Sequence, residues 1–548
     1  MKKENMILMG LSVISAVLMS TPFLVPHTGF LSLIGLVPLL CMDRIATLSG
    51  KKHVWRFHYT AFVIWNALTT YWVCNATMAG GLFAIFANAF QMSLIFGLFR
   101  ISKKRFSGAL PYIFLMAMWI SWERFYFDAE ISWPWLVLGN SFAQSTGSIQ
   151  WYEYTGTLGG SLWIWACNLG IFGLLVSLSD GRWFRFNWKA KTAAVGGVIA
   201  AFTVPFITSA IIGSSYKNAM QEGEQLDVLI VQPNIDPYNK FKAMSQSEQN
   251  MLLLNTAQDN LAERRQDSTA SPLLIVAPET FTNDISTNNI QSSPSWKKFA
   301  SLLKEYPNTS LLFGASSRTY IESAEAPSAT ARNLGNNLWC ESHNSALIVN
   351  SDLSTEICHK NKLVVLVEKT PYPSFTCPLD DKFGLGFGRC IGEGEPGIFN
   401  IRTTEGKNIP VGCAICYESV YGEYYTEYVR QGAKAMTIIT NDAWWGDTPG
   451  YRQHLSYASL RAIETRRAIA RCANTGISAI ISPSGEIIQP TPWWEPAVIN
   501  SQIPLRDDLT FFVRHGDITG RICNFVFWLL LLAMFVRTMT RKGEDIKA

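Results

Sequence analysis

Seven runs of about twenty mostly apolar residues fill the first 213 positions of this chain, at roughly 6–25, 29–47, 57–77, 80–99, 108–127, 156–178 and 192–213. An eighth, at about 522–537, has FVFWLLLLAMFV at its heart. A helix of ~20 apolar residues, rising ~1.5 Å per residue, crosses the ~30 Å hydrocarbon core of a bilayer. The chain therefore reads as a polytopic α-helical membrane protein of about eight spans. Some 300 residues of ordinary polarity lie between the seventh and eighth runs. The expected division is a seven-span transmembrane domain at 1–213, a separate domain at 214–520, and a final span with a short tail at 521–548.

Lysine and arginine in the short loops set the orientation of such a chain. Lys2 and Lys3 precede the first run. Arg44, Lys51, Lys52 and Arg56 follow the second, Arg100, Lys103, Lys104 and Arg105 the fourth, Arg182, Arg185, Lys189 and Lys191 the sixth, and Arg537, Arg541 and Lys542 the eighth. The alternate connections are nearly bare, with PHTG, NATMAGG and the single Arg124. Every basic loop falls on one side, expected to be cytoplasmic. The middle domain then faces outward, into the periplasm or its equivalent. MKKEN followed by an apolar run also fits a signal peptide, but no small-residue cleavage site follows it, and cleavage would leave the other orientations unchanged.

Only 16% of the residues are charged, and the net charge of +4 is small and says nothing about nucleic acid, which is not among the expected partners. Of eleven cysteines, Cys41, Cys74, Cys167 and Cys523 lie in or beside the spans and read as small packing residues. Seven fall in the exported domain, where disulfides can form. Cys377 and Cys390 share a loop and could pair; an odd number leaves at least one thiol free. The aromatic connection between the fifth and sixth runs, SWPWLVLGNSF then QWYEYTG, has two readings. One is an interfacial belt; the other is a re-entrant segment lining a lipid access path.

The middle domain alternates short β-rich runs with helical stretches, an α/β pattern. Strands are expected in LDVLIVQPNI (226–235), PLLIVAPETF (272–281), SLLFGAS (310–316), SALIVN (345–350), IPVGCAIC (409–416), AMTIITN (435–441) and SAIISPSG (478–485). Helices are expected over 244–266, 418–432 and 451–473. Several strands end on polar residues, where α/β sheets place their sites.

The stretch VGCAICYESVYG (411–422) holds two cysteines three apart. Side chains alternate along a strand, so Cys413 shares a face with Val411 and Ile415 while Cys416 points the other way. No second CxxC offers further metal ligands. Cys413 then reads as core, and Cys416 as the last residue of its strand. A thiol at the turn into a helix lies near the helix N-terminus, which favours thiolate and leaves it exposed. None of the domain's histidines lies at an evident strand end. Glu279, after the strand in VAPETF, can serve as a base instead. Lys360, in HKNKL, follows a turn entering another extended run and reads equally well as an ordinary surface lysine.

Glu279, Lys360 and the Cys416-Tyr417-Glu418 run stand in the order found in the nitrilase, or carbon–nitrogen hydrolase, superfamily. The flanking spans, and NDAWWGDTPGYRQHLSYASLRAIETRRAIARCANTGISAIISPSG (441–485), resemble its membrane-integral branch, the apolipoprotein N-acyltransferase family. The resemblance covers essentially the whole chain and implies an αββα sandwich. It implies Glu279 as general base, Lys360 as oxyanion holder and Cys416 as nucleophile. Glu368 matches a supporting glutamate, and Tyr417, Glu418 and Trp444 match further residues of the motifs. LVVLVEKTPY (363–372) stands where the family has LVPFGEY, and Phe241 stands where it has a tryptophan. The implied reaction moves a fatty acyl chain from a membrane phospholipid, through a Cys416 thioester, to the α-amine of an apolipoprotein's diacylglyceryl-cysteine. It implies a monomer in the bacterial inner membrane, with no metal and no cofactor. A membrane-tethered amidase or nitrilase-type hydrolase is the alternative. A transporter is a third reading, disfavoured because the spans carry few ionisable residues.

Overall fold

The computed structural model describes residues 2–238, 240, 244–264, 267 and 269–547; Phe241 lies outside them. Two compact units result, Met1–Ser214 with His515–Ala548, and Ser215–Arg514.

In the first unit, six helical segments among the described residues are long and apolar enough to cross a membrane: Lys3–Leu24, Gly29–Leu48, Met78–Ser102, Tyr152–Ser179, Trp188–Ser215 and Ile518–Thr540. The third and fifth apolar runs are also helical, at Trp55–Thr70 and Leu110–Asp128, but fall outside that set. The 16 residues of the former span only about 24 Å. The latter ends on Glu123, Arg124 and Asp128. Val195, Ile199, Ile207 and Ile211 on one helix, and Phe525, Leu532 and Phe535 on another, stand exposed, an apolar surface that a bilayer covers.

The aromatic connection is no interfacial belt over 134–143. Those residues are buried and form short 3-10 turns at Pro134–Leu136 and Leu138–Phe142. Irregular backbone buried in this way is tolerated only where protein satisfies its polar groups. Tyr152 donates its hydroxyl to the Gly139 carbonyl at 3.0 Å. A Cβ on Gly139 would come within 1.9 Å of the Thr157 carbonyl oxygen, so only glycine fits.

The second unit contains fourteen strands among the described residues: β1 (Gln225–Gln232), β2 (Leu273–Val276), β3 (Thr282–Ser286), β4 (Thr309–Glu322), β5 (Arg332–Gly335), β6 (Leu338–Asn350), β7 (Thr355–His359), β8 (Ile398–Arg402), β9 (Asn408–Ile415), β10 (Ala435–Thr440), β11 (Ile469–Ala473), β12 (Ala479–Ile481), β13 (Ile487–Ile488) and β14 (Ala497–Pro504). One sheet runs β14-β1-β2-β4-β6-β5, with β3 on β4 and β7 on β6; the other runs β13-β12-β11-β10-β9-β8.

Alternation along the strands explains the layers. Val228, Ile230, Val276, Leu312 and Ile348 of the first sheet share a buried core with Val411, Cys413, Ile415, Ala470 and Ile480 of the second. The opposite faces pack on helices. Leu229, Val231, Ile275 and Phe313 meet Leu253, Phe299 and Leu303. Ala414, Met436, Ile438 and Ile469 meet Tyr425, Val429, Leu455 and Ala462. The result is the αββα sandwich of the nitrilase fold.

The sequence pattern misplaces several boundaries, by most at one helix. The helix expected over 451–473 is Pro449–Thr465. It stops at Arg466, whose φ is +52°, and Ile469–Ala473 is strand β11, parallel to β10. Every side chain from 453 to 476 is buried, so no exposed face marked where the helical period ended.

Candidate active site

Strand ends of both sheets, and a turn at 366–368, bring four of the expected residues together. Glu279 follows β2 in a turn made by Thr280, whose φ is +49°. The turn lies against Gly314 of β4, where a Cβ would stand 2.6 Å from the Glu279 Cα. Lys360 directly follows β7, its main-chain N–H donating to the Asn344 carbonyl at 2.7 Å. Lys360 Nζ lies 3.0 Å from Glu279 Oε1 and 2.9 Å from Glu368 Oε1. Asn344 of β6, which sequence reasoning missed, donates its Nδ2 to those same two oxygens at 2.7 Å each. Glu279 Oε2 accepts the Asn441 N–H at 3.1 Å, and Glu368 Oε2 that of Val364 at 2.8 Å.

Lys360 is 1% exposed. Burial alone would lower its pKa. Glu279, Glu368 and Cys416 outweigh that penalty and hold the ammonium well above its ordinary value. A second buried cation, Lys240, donates to the Thr280 carbonyl. Burial pulls it down to about 8, against the attraction of Glu279.

Cys416 is the first residue beyond β9 and has a φ of +52°, a left-handed conformation that costs a non-glycine residue energy and is held only by its surroundings. It opens a 3-10 turn, Cys416–Val420, while the following helix starts at Gly422. The thiol is only 9% exposed. Burial pushes its pKa well above the usual value, Glu279 and Asp442 add to the rise, and Lys360 opposes it. The expectation of an exposed, thiolate-favouring cysteine is thus overturned: five residues separate Cys416 from the first residue of the helix, and desolvation dominates.

Glu418 sits behind the site. Its carboxylate accepts the N–H groups of Ile415 at 2.8 Å and Asn361 at 2.7 Å, and the hydroxyls of Tyr424 and Tyr428 at 2.9 Å each. It thereby ties the turn carrying Cys416 to the residue after Lys360. Burial raises its pKa against these bonds. Tyr417 is buried, its ring perpendicular to Tyr421 at 5.2 Å. Trp444 is 41% exposed and meets Tyr238 edge-on at 5.1 Å. Cys377 and Cys390 are both free thiols, as is Cys413.

Beside Cys416 lies a group that sequence reasoning passed over, Asp442 and His454. A sulfur, a carboxylate oxygen and a ring nitrogen here all lie within 4.8 Å of one another. These groups do not fit a metal. The carboxylate is already taken up by Arg471 Nη2 at 2.6 Å, Thr440 Oγ1 at 2.7 Å and His454 Nδ1 at 2.9 Å. His454 Nε2 lies against the Cys416 carbonyl oxygen at 3.1 Å. Burial would raise Asp442; Arg471 and His454 outweigh it and hold the carboxyl far below its usual range. Gly476 makes room: a Cβ there would stand 2.9 Å from Asp442 Oδ2. The DAW and QH motifs were the available signal.

An αββα sandwich gathering a cysteine, a lysine and two carboxylates at its strand ends is the architecture of a thiol enzyme acting on acyl carbon. Residues 228–507, just over half of the chain, match the profile of the Carbon-nitrogen hydrolase family, and the chain belongs to that family. Residues 15–170 match a second profile, the Apolipoprotein N-acyltransferase N-terminal domain. The chain is 26% identical over 544 residues to the apolipoprotein N-acyltransferase of Chlorobaculum tepidum, covering 95% of this chain and 98% of that one. It is 26% identical over 540 residues to that of Geobacter metallireducens, 94% and 92% covered. Over 207 residues it is 32% identical to that of Haemophilus ducreyi, 36% and 39% covered.

Proposed function

We propose that this chain is an apolipoprotein N-acyltransferase of the bacterial inner membrane, with Cys416, Glu279 and Lys360 as its catalytic residues. The observation that carries the reading is the buried Lys360 ammonium between Glu279 and Glu368, in a chain similar to such enzymes over nearly its full length.

Glu279 takes the proton of Cys416, and the thiolate attacks an ester carbonyl of a membrane phospholipid. The Lys360 ammonium stabilises the oxyanion of the tetrahedral intermediate. Collapse breaks the C–O bond, the lysophospholipid leaves with the proton held by Glu279, and the acyl group remains as a thioester. The α-amine of a diacylglyceryl-cysteine then attacks the thioester. Its proton passes to Glu279, the amide forms, and the Cys416 thiolate departs and is reprotonated. A thiol kept neutral at rest suits this sequence, since charge forms only when a base and an acceptor are both in place.

Water must stay out, because it would hydrolyse the thioester. The helix Pro373–Phe383, which follows Glu368, turns Phe375, Leu379 and Phe383 outward, a surface suited to lipid substrates. Glu368 and Glu418 position Lys360 and the cysteine turn; Tyr417 and Trp444 shape the surroundings. We take 1–213 and 521–548 as eight spans with their basic loops in the cytoplasm, and 214–520 as a periplasmic catalytic domain in a monomer. A hydrolase of the same family is not favoured, because the relatives that extend over both units are N-acyltransferases.

The deciding experiment follows the acyl-enzyme. Purified protein given phospholipid alone should gain the mass of one acyl chain, removable by neutral hydroxylamine and absent in Cys416→Ala. A diacylglyceryl-cysteine peptide should discharge it into a triacylated product. Free fatty acid released equally fast with and without the peptide would overturn the transferase reading.

A further inference from the structure

The last helix, Ile518–Lys547, packs along the helix Leu110–Asp128. Ser121 donates its hydroxyl to Asn524 Oδ1 at 2.7 Å, and the Phe114 and Phe527 rings lie 5.8 Å apart. This packing brings the far end of the last helix to the loop that precedes the other. There Arg537 donates Nη1 to the Arg105 carbonyl at 3.1 Å, and its guanidinium lies 5.2 Å from the centre of the Phe106 ring. Lys104, Arg105, Phe106 and Ser107 line a concavity together with Arg537 and Thr540. Its volume is about 360 Å³, within the ~300–1,000 Å³ of small-ligand sites. A basic loop that only sets orientation needs no such convergence. Neighbouring cations are neutralised, Arg100 and Lys103 by Asp43 and Arg44 by Asp180. Among the described residues, neither Arg105 nor Arg537 pairs with a carboxylate. Like charges gathered at the edge of a bilayer repel unless an anion lies between them.

We propose that this pocket binds a phosphate group, that of an anionic phospholipid in the leaflet we take as cytoplasmic. Basic pockets between spans hold acidic headgroups in this way, and Ser107 adds a hydroxyl donor. A lipid fits better than a free ion because apolar surface adjoins the pocket. The helix Met78–Ser102, which ends just before Lys104, exposes Leu98 and Ile101, and the last helix exposes Leu532, Phe535 and Val536. All lie within about two turns of the pocket, where acyl chains can run. The bound lipid pins the end of the last span to the 103–107 loop. It is not the acyl donor, whose ester must reach Cys416 in the domain we take as periplasmic. The inference goes beyond the proposed acyl transfer and shares with it only the orientation of the spans.

Native mass spectrometry of the full-length protein in neutral detergent tests it, with a dialkyl-ether phosphatidylglycerol that cannot donate an acyl chain. Wild type is compared with Arg105→Gln/Arg537→Gln and with Lys189→Gln/Lys191→Gln, which loses the same charge from another basic loop. Wild type and the loop control should bind the lipid alike. The pocket variant should bind it more weakly, by roughly fivefold per arginine removed. Arg537→Gln alone, at an exposed position, gives the same reading at one step if the double variant does not fold. Millimolar inorganic phosphate should not displace the lipid; displacement, with the lipid bound no more tightly than phosphate, would make this a free-anion site and overturn the lipid assignment. Equal affinity of all the proteins, or an equal loss in the loop control, overturns the proposal. Because the lipid cannot react, a failure of acyl transfer bears on the proposed reaction alone.

Discussion

Asn344 Nδ2 stands 2.7 Å from Oε1 of Glu279 and is shared, at the same distance, with Glu368. One neutral amide thus bridges the buried carboxylate of Glu279 and the partly buried one of Glu368, and the Lys360 ammonium lies against the same pair of oxygens. Like charges this close are tolerated only with a cation and donors between them.

Removing that bridge in Asn344→Ala leaves each carboxylate short of a donor. The expected loss of stability is about 1–3 kcal/mol, read as a fall in urea midpoint or Tm. Thioester formation should slow as Glu279 loses its fixed orientation. Asn344→Asp adds a third carboxylate and should be worse than the alanine variant. Equal behaviour of the two would mean that charge at this position is unimportant.

Lys360→Ala removes the cation itself. The buried Glu279 and the partly buried Glu368 then lack their partner, and breaking a buried pair costs about 3–5 kcal/mol. An oxyanion donor is worth roughly 2.7–4 kcal/mol of barrier, so acylation in a single turnover should fall by about two to three orders of magnitude. The acyl-enzyme mass increment, followed over time, reads the rate; a thermal scan separates it from unfolding. Wild-type acylation in a folded Lys360→Ala protein would remove Lys360 from the chemistry.

How much of this was legible in the sequence depends on burial. Cys413 and Cys416 could be told apart because β9 alternates, and Cys413 does lie in the core between the sheets. The order of Glu279, Lys360 and Cys416 was legible through resemblance alone, since the residues themselves are 81 and 56 positions apart. Asn344 was hidden just before the apolar run SALIVN, at a strand position with no local signal. His454 and Arg471 were hidden for another reason. They lie in a stretch buried on every face, where period carries no information about direction. The thiol environment was misjudged because a strand-to-helix turn was assumed to be open to solvent, whereas here it is closed over.

The backbone at Cys416 gives an unusual ordering of variants. Its φ of +52° suits glycine and penalises any residue with a Cβ by ~1–2 kcal/mol. Cys416→Gly should therefore be more stable than Cys416→Ala by about 1 kcal/mol, although glycine usually destabilises. Both should be inactive. Chemical denaturation of the two variants side by side measures the difference; a less stable glycine variant would show that the turn carries no strain.

The basic loops motivate a topology test. A reporter active only outside the cytoplasm should work when fused after residue 300 and stay silent after residue 104 or 548. Activity of the residue-104 fusion would reverse the orientation, since Arg100, Lys103, Lys104 and Arg105 would then lie outside.

Asp442 links stability to pH with a definite sign. Its folded carboxyl is held far below the ordinary value, whereas in the unfolded chain it titrates near 3.9. A depressed folded pKa contributes stability that is fully present above the unfolded value and is lost as pH falls toward the folded one. Asp442→Asn cannot make this contribution at any pH and leaves Arg471, fully buried, without its anion. The variant should therefore be less stable than wild type at pH 7, by several kcal/mol for a broken buried pair. The gap should narrow once pH drops below about 4, because only the wild type still has something to lose. Unfolding free energies of both proteins between pH 7 and pH 3 check this. A gap that stays constant to pH 3 would mean that the ion pair with Arg471 does not depend on the ionisation of Asp442.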